Sequence, residues 1–259
     1  MMASFEGRVV ILTGATGGFG RAAARFFADA GASLVLSDLA SESLEELARE
    51  LGGETIAVAG DITDPKLSEQ LVETAMSRFG RLDVAVNNAG IAHDMAPLPK
   101  TPLNVARQII DVDLMGVFYA MRAQLPALEQ RFRDTGEQGA IVNVASVAGV
   151  VAAPMLSVYA AAKHGVVGMT KSAAIEYARR GVRVNALCPS FARTPMVTGF
   201  LEKAGTDRDM AEAALVRSIP MGRLAEVDEV IAGLAFLADP ASSFITGQTL
   251  QIDGGLSAA

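Results

Sequence analysis

Residues 8–20 read RVVILTGATGGFG, an apolar, β-branched run that leads directly into a glycine-rich turn. The run predicts a buried strand. Gly14, Gly18 and Gly20 permit a tight turn, close approach of a diphosphate and close packing of the next helix, whose N-terminus offers N–H donors and a partial positive charge. The stretch therefore predicts a strand–turn–helix unit that can bind a dinucleotide, although these glycines alone also fit an ordinary turn.

Strand-like and helix-like segments alternate along most of the chain. Apolar runs begin at residues 8, 33, 55, 83, 140 and 182, and amphipathic runs separate them, including one long helical run over 101–132. Such alternation predicts a parallel sheet with helices on both faces, and nearly all-apolar strands agree because both of their faces would be covered. We expect an α/β fold with a doubly wound, Rossmann-like parallel sheet of about seven strands.

The length and composition are those of one substantial folded unit. The chain has 259 residues, of which 51% are hydrophobic, and no repeat or linker divides it. We predict a single dinucleotide-binding and catalytic domain over 1–259. The segment 190–219 is richer in Met, Thr and charged residues, so it is predicted to be an insertion with one or two short helices that cover a substrate pocket.

Charge and cysteine content exclude several classes of protein. The net charge of −7 opposes binding to nucleic acid, which requires clustered Lys and Arg. No stretch approaches the roughly 18 apolar residues of a membrane helix. One cysteine, Cys188, excludes an intrachain disulfide and is expected to be a small buried residue. We expect a cytoplasmic enzyme with no membrane partner and no metal site.

Asp38 points to the identity of the dinucleotide. It ends the second predicted strand, 24 residues after Gly14, where a carboxylate can accept hydrogen bonds from the ribose hydroxyls and would repel a 2′-phosphate. Leu39 follows it, and no Arg or Lys lies beside it. We therefore expect NAD rather than NADP; the alternative is that Asp38 caps the helix that starts at Ser41.

Tyr159 and Lys163 indicate the chemistry. They stand four residues apart in S157-VYAAAKHGVVGMTK, so a helix would place phenol and ammonium on one face. Free tyrosine has a pKa of about 10, and a fixed positive charge lowers the pKa of a phenol. The pair predicts an acid/base for interconverting an alcohol and a carbonyl compound.

Taken together, these motifs resemble the short-chain dehydrogenase/reductase family, in its single-domain branch, from Arg8 to the C-terminal D253-GG. The resemblance rests on T13-GATGGFG, G60-DIT, N87-NAG, Ser146, Y159-AAAK, N185-ALCPS and I245-TGQTLQIDGG. It implies that Tyr159 is the acid/base, that Lys163 favours the phenolate and holds the nicotinamide ribose, and that Ser146 hydrogen-bonds the substrate oxygen. The alternatives are that Tyr159 and Lys163 are surface residues of a helix without a catalytic role and that Ser146 only starts a loop.

The resemblance also implies a set of cofactor contacts. Asp61 would meet the adenine or simply cap the following helix, for which Asp64 is the better cap; Asn87 is expected to stabilise neighbouring strands. Thr194 would hold the nicotinamide carboxamide. The predicted cofactor-binding residues are Gly14, Thr16, Gly18, Phe19, Gly20, Asp38, Leu39, Asp61, Ile62, Asn88, Ala89, Gly90, Tyr159, Lys163, Pro189 and Thr194.

Two positions depart from the family pattern. Asp113 stands where the family usually carries an Asn that organises a water relay behind the lysine; its carboxylate would add negative charge near Lys163 and is predicted to take part in catalysis. Pro189-Ser190 replaces the usual Pro-Gly beside the nicotinamide.

The sequence favours an NAD-dependent oxidoreductase of secondary alcohols and ketones. Alternatives are a 3-oxoacyl thioester reductase of the same fold and a non-catalytic cofactor-sensing protein. A loop histidine is more often a surface residue, but His93 can contact substrate. Helices around 104–128 and 157–178 are apolar on more than one face, which in the family that the chain resembles accompanies pairing of helices between subunits. The resemblance therefore implies a homotetramer, with a dimer as runner-up. The predicted substrate-pocket residues are His93, Met155, Leu156, Phe191, Met196 and Phe200.

Overall fold

The fold is built on one seven-stranded sheet in which every neighbouring pair of strands is parallel. The computed structural model describes residues 4–203 and 208–258. The strand order is β3-β2-β1-β4-β5-β6-β7, so the chain adds strands to one side of β1 and then crosses to the other. The strands are β1 (Val9–Thr13), β2 (Ser33–Asp38), β3 (Thr55–Ala59), β4 (Val84–Asn87), β5 (Gly139–Val144), β6 (Val182–Pro189) and β7 (Thr249–Ile252).

Helices cover both faces of the sheet, which confirms the predicted doubly wound α/β class. Val10 and Leu12 of β1 pack into one core cluster, whereas Val9 and Ile11 pack into a second one on the opposite face. Within the described ranges, no helix is both long and apolar enough to cross a membrane. The helices are α1 (Gly18–Asp29), α2 (Ser41–Leu51), α3 (Pro65–Phe79), α4 (Leu103–Ile110), α5 (Gly116–Thr135), α6 (Ser157–Tyr177), α7 (Pro195–Lys203), α8 (Arg208–Val216) and α9 (Val227–Ala238).

The helical run predicted over 101–132 is interrupted, which corrects the expectation of one continuous helix. A π-helical turn, Asp111–Met115, separates α4 from α5. The extra residue in such a turn changes the face on which the following side chains lie. Asp113 is buried at the centre of this turn.

The segment predicted as an insertion, 190–219, contains two short helices, α7 and α8. Residues 204–207, between these helices, lie outside the described part of the chain. Val197 and Leu201 of α7 pack with Ile219 and Leu224 in a small apolar cluster of their own. Coverage of a substrate by this segment stays a prediction.

Buried amides join the central strands. Asn87 of β4 lies opposite Asn143 of β5, and its Nδ2 donates to Asn143 Oδ1 at 2.8 Å and to Gln124 Oε1 at 3.1 Å. Asn143 Nδ2 donates in turn to Thr170 Oγ1. The network links β4 and β5 to α5 and α6, so the structural role expected for Asn87 is confirmed.

Candidate active site

A cleft of about 750 Å³ opens at the carboxyl ends of the central strands. It lies beside the point where the strand order crosses from β1 to β4, the usual ligand position in open α/β sheets. Residues from the β1–α1 turn, the end of β2, the β4 turn, α6 and the start of α7 line it. The topology therefore brings the predicted chemical groups to one place.

The glycine-rich turn has no room for side chains at two of its glycines. Gly14 has φ +65°, and a Cβ there would lie 2.8 Å from the Cα of Ala89; a Cβ on Gly20 would lie 2.0 Å from the carbonyl oxygen of Gly14. The side chain of Asn88 donates to the carbonyls of Thr13 and Gly14, and Thr13 Oγ1 accepts from the backbone N–H groups of Asn88 and Ala89. These hydrogen bonds thus join the turn after β1 to the turn after β4 and hold both in place.

Asp38 lies at the cleft but does not cap α2. Its Oδ2 accepts hydrogen bonds from the backbone N–H of Thr16 at 2.9 Å and from Thr16 Oγ1 at 2.7 Å, and its Oδ1 accepts from the N–H of Leu39. The N-cap of α2 is Ala40, with no side-chain cap. The alternative of a helix cap is therefore wrong, and the carboxylate instead ties the end of β2 to the glycine-rich turn.

Asp61 and Asp64 have different hydrogen-bond partners, and contact of Asp61 with an adenine stays a prediction. Asp61 Oδ1 accepts from the N–H and the hydroxyl of Thr63, within the turn that lines the cleft. Asp64 is the N-cap of α3, where it accepts from Lys66 N ahead of Pro65 at the first helical position. Asp64 is thus confirmed as the cap.

Ser146 lies two residues beyond the end of β5, although the sequence placed it at the strand end. Its Oγ accepts a hydrogen bond from Ala148 N at 3.1 Å. Because the oxygen accepts this bond, the hydroxyl proton remains able to donate to another group. The side chain is nearly buried and lines the cleft.

Tyr159 and Lys163 both line the cleft from one face of α6. The Lys163 ammonium lies 5.5 Å from the centre of the Tyr159 ring. Its Nζ donates to the carbonyl of Val144 at 3.3 Å. The helix therefore brings phenol and cation together as the i, i+4 spacing predicts.

Asp113 contacts Lys163 directly. Its Oδ2 lies 3.2 Å from Lys163 Nζ, and its Oδ1 accepts from the backbone N–H of Ile91 at 2.8 Å. The Asp113 carboxylate is 0% exposed and the Lys163 side chain 4%. The π-helical turn thus places the Asp113 carboxylate beside the buried Lys163 ammonium.

The charge state of Lys163 follows from these neighbours. Burial by itself lowers the pKa of Lys163, but attraction to Asp113 and then to Tyr159 more than offsets it, so that the pKa lies above its ordinary value. Lys163 is accordingly protonated at neutral pH.

The predicted substrate residues are not all brought together. Met196 lines the cleft, whereas Phe191 packs on the apolar cluster of α7, and Met155, Leu156 and His93 do not belong to the lining. His93 is buried, which corrects the expectation of a surface residue: its Nδ1 bonds the Asp94 carbonyl, and its Nε2 has no partner within the described chain. The side chain of Phe200 lies outside the described residues.

Met155 has an unusual backbone. It has φ +70°, the one positive φ outside glycine in the described ranges, and its carbonyl accepts from Ala96 N at 2.9 Å. It immediately precedes Leu156, the N-cap of α6. The strain therefore lies at the start of the helix that carries Tyr159.

Cys188 is confirmed as a buried residue of β6. Burial raises the pKa of its thiol to about 11. Its surroundings therefore hold it as a neutral thiol.

The residues present fit a nicotinamide dinucleotide. The crowded glycine turn lets backbone N–H groups approach a diphosphate, and a carboxylate stands at the end of β2. Of the predicted cofactor residues, Gly20 alone does not line the cleft, since it packs against Gly14 and Ala15. The remainder that line it are Gly14, Thr16, Gly18, Phe19, Asp38, Leu39, Asp61, Ile62, Asn88, Ala89, Gly90, Tyr159, Lys163, Pro189 and Thr194.

Sequence reasoning missed Thr13 and the α4 side of the cleft. Thr13 is a polar residue at the end of an otherwise apolar strand, a signal that could have marked it as a turn anchor. Asn104, Arg107 and Gln108 of α4 line the cleft. Helical periodicity gives no sign of this, because it does not show which face of α4 meets the cleft.

Known proteins resemble the chain along nearly its whole length. A family model described as enoyl-(acyl carrier protein) reductase matches residues 14–257. The chain is 41% identical over 258 residues to a cis-4-hydroxycyclohexanecarboxylate dehydrogenase from Sinomonas cyclohexanicum, with 98% of each chain covered.

Solved structures agree in fold. A levodione reductase superposes with a TM-score of 0.93 at 35% identity, covering 98% of this chain and 99% of that one. A 3-ketoacyl-(acyl-carrier-protein) reductase from Brucella melitensis, complexed with NADH, has a TM-score of 0.90 at 37% identity, with 98% and 100% covered. The protein is an oxidoreductase that belongs to the short-chain dehydrogenase/reductase family.

Proposed function

We propose that the protein is an NAD-dependent dehydrogenase that interconverts an alicyclic secondary alcohol and its ketone. The observation that carries the proposal is the constellation of Ser146, Tyr159 and Lys163 in one cleft with the glycine-rich turn. A bound nicotinamide supplies the acceptor or donor of hydride.

Each catalytic side chain has one task. In the oxidative direction Tyr159 takes the hydroxyl proton of the substrate, and in the reductive direction it returns that proton. Lys163 holds positive charge 5.5 Å from the phenol ring. Ser146 donates to the oxygen that becomes the carbonyl, because Ala148 N holds its Oγ as an acceptor and leaves its proton free.

Asp38 supports NAD over NADP. A second negative charge, such as that of a 2′-phosphate, would be repelled by a carboxylate at the end of β2. The cations that line the described cleft are Arg107 of α4 and Lys163 of α6, and neither belongs to the β1–α1 turn or to the end of β2. The Brucella melitensis relative was solved as a complex with NADH, which agrees with this preference.

The wall supplied by α7 and the residues before it supports an apolar ring as substrate. Ala192, Pro195, Met196 and Val197 line this part of the cleft and carry no charge. Two relatives, the hydroxycyclohexanecarboxylate dehydrogenase and levodione reductase, are named for ring compounds. Met196 suits substrates of varied outline, since methionine adapts its shape.

The rival 3-oxoacyl thioester reductase would dock an acidic carrier protein on basic residues near the cleft. Arg193, at the edge of α7, is already paired with Glu212 and Glu226. The Brucella melitensis relative keeps this rival open to test. A cofactor-sensing protein would need no acid/base, so Tyr159 argues against it.

One experiment separates these functions. NAD is supplied with cyclic and aliphatic secondary alcohols, and NADH with cyclic ketones and an acetoacetyl thioester, while absorbance of the reduced nicotinamide is followed. We expect turnover of ring alcohols and a loss of about 10²–10⁴-fold in kcat for Tyr159→Phe, with cofactor affinity kept. Cofactor binding without turnover of any substrate would favour the sensor, and preference for the thioester would favour the rival enzyme.

The proposal extends to the assembly and its location. Exposed apolar residues on α5, α6 and α9 support a homotetramer, with a dimer as the alternative. The single cysteine agrees with a cytoplasmic location.

A further inference from the structure

The buried pair of Asp113 and Lys163 has a defined surrounding. Lys163 meets Asp113 from the π-helical turn, Tyr159 from its own helix, the Val144 carbonyl from β5 and Cys188 from β6. The Cys188 thiol is neutral because burial raises its pKa to about 11. Asp113 is therefore the one carboxylate among these neighbours of Lys163.

The position of Asp113 is fixed independently of its charge. Ile91 N donates to Oδ1, and Oδ2 faces Lys163. A Cβ on Gly90 would lie 3.1 Å from Lys163 Nζ and 3.5 Å from Asp113 Oδ2, so the backbone of the β4 turn closes over the pair. An asparagine in this place would keep an oxygen for Ile91 N and would replace the charged oxygen that faces Lys163 by an uncharged NH2 group.

This charge matters for a cofactor whose two forms differ in charge. The oxidised nicotinamide ring is cationic and the reduced ring is neutral. A lone ammonium in a site of low dielectric constant would repel the oxidised ring, whereas a neutral ion pair would not. The charges of the cleft lining also favour the cationic oxidised ring, since the acids of the lining outnumber its cations. These acids are Asp38, Asp61, Asp111 and Asp113.

We propose that Asp113 is a charge-balancing positioning residue: its carboxylate holds the ammonium of Lys163 and cancels its charge, so that the site favours binding of the oxidised cofactor. The proposal rests on the proposed function, because it requires a nicotinamide beside Lys163. It also implies that the enzyme is better suited to oxidising an alcohol than its Asp113→Asn variant.

The test is direct binding of NAD and NADH to the purified protein by calorimetry, without substrate. For Asp113→Asn at pH 6 we expect the affinity for NAD, relative to that for NADH, to fall about tenfold. The variant's ratio should return toward the wild-type value as pH rises to 9, because without the Asp113 carboxylate the lowering of the Lys163 pKa by burial is less compensated, so that Lys163 loses its charge at a lower pH. The wild-type ratio should stay constant over this range.

Two further variants make the result decisive. Asp134→Asn removes an exposed acid from α5 and should leave the ratio unchanged. Asp113→Asn combined with Lys163→Gln removes both charges and should restore the wild-type ratio within twofold; this variant serves even if the single variant does not fold. A double variant with a tenfold altered ratio would overturn the inference.

The failures of the two proposals are distinguishable. If the wild-type protein binds neither NAD nor NADH, the proposed function is wrong and the inference falls with it. If the wild-type protein binds both and Asp113→Asn has the wild-type ratio at pH 6, the inference alone is wrong.

Discussion

The carboxylate of Asp38 both stabilises the protein's own turn and faces the cleft. It holds Thr16 through two hydrogen bonds, and it lines the cleft in which we propose that the cofactor binds. Removal of the whole side chain would therefore disturb the turn and the cofactor preference together. Asparagine keeps one acceptor oxygen for Thr16, whereas it removes the charge and the acceptor for the N–H of Leu39.

For Asp38→Asn we expect the ratio of kcat/KM for NAD to that for NADP to fall at least about tenfold, because the charge that repels a 2′-phosphate is gone. Steady-state kinetics with both cofactors measures the ratio. Glu42→Gln removes an exposed charge from the first turn of α2 and is the matched control. An unchanged ratio in Asp38→Asn would refute the NAD assignment.

Cys188 should be unreactive in the folded protein. Burial raises the pKa of its thiol from 9.0 to about 11, so roughly one thiol in a thousand is ionised at pH 8. Because the folded-state value lies above the unfolded one, this group favours folding fully below pH 9, and that contribution is lost as pH rises through 11. We expect no alkylation by iodoacetamide over an hour at pH 8, and complete alkylation in denaturant, as measured by mass spectrometry. Rapid labelling of the native protein would contradict this account.

Strand and helix segments were predictable where burial and periodicity agree. The mainly apolar runs of β1 and β5 indicated a sheet covered on both faces, and the structure has one. The break between α4 and α5 was not predictable, because the residues of Asp111–Met115 continue the helical pattern and only tertiary contacts create the π-helical turn. The site was predictable at Tyr159 and Lys163, whose spacing is local. The direct contact of Asp113 with Lys163 joins residues 50 positions apart, and no local pattern encodes it.

The start of α3 offers a test of local stabilisation. Asp64 satisfies a backbone donor of the first turn, so Asp64→Ala should lower the free energy of unfolding by about 1 kcal/mol. Glu73→Ala, at an exposed position within α3, should change it by less than about 0.5 kcal/mol. Urea titration of both variants without cofactor measures the difference. Equal losses would show that the cap contributes nothing specific.

The assembled molecule should be larger than one chain. Ile175 of α6 and Phe118 of α5 leave apolar surface uncovered, and Phe244 beside β7 is fully exposed. Large exposed apolar side chains in several places favour contacts between subunits. Exposed apolar residues on more than one element would suit the more than one kind of interface in a tetramer with twofold symmetry.

We expect light scattering after gel filtration to give four times the mass of one chain for the wild-type protein. Ile175→Lys and Phe244→Ser should each shift the mass toward a dimer, because each removes one apolar contact. Met76→Lys, a change at an exposed apolar residue of α3, should leave the mass unchanged. A monomeric wild-type protein would refute the predicted assembly.

The strained backbone of Met155 marks a position at which a substitution should stabilise the protein. A left-handed conformation costs a residue with a side chain about 1–2 kcal/mol that glycine does not incur. Because Met155 directly precedes the N-cap of α6, exchanging it for glycine would relax the backbone at the start of the helix that carries Tyr159. A biocatalyst intended for long use in a warm reactor would start from that single exchange.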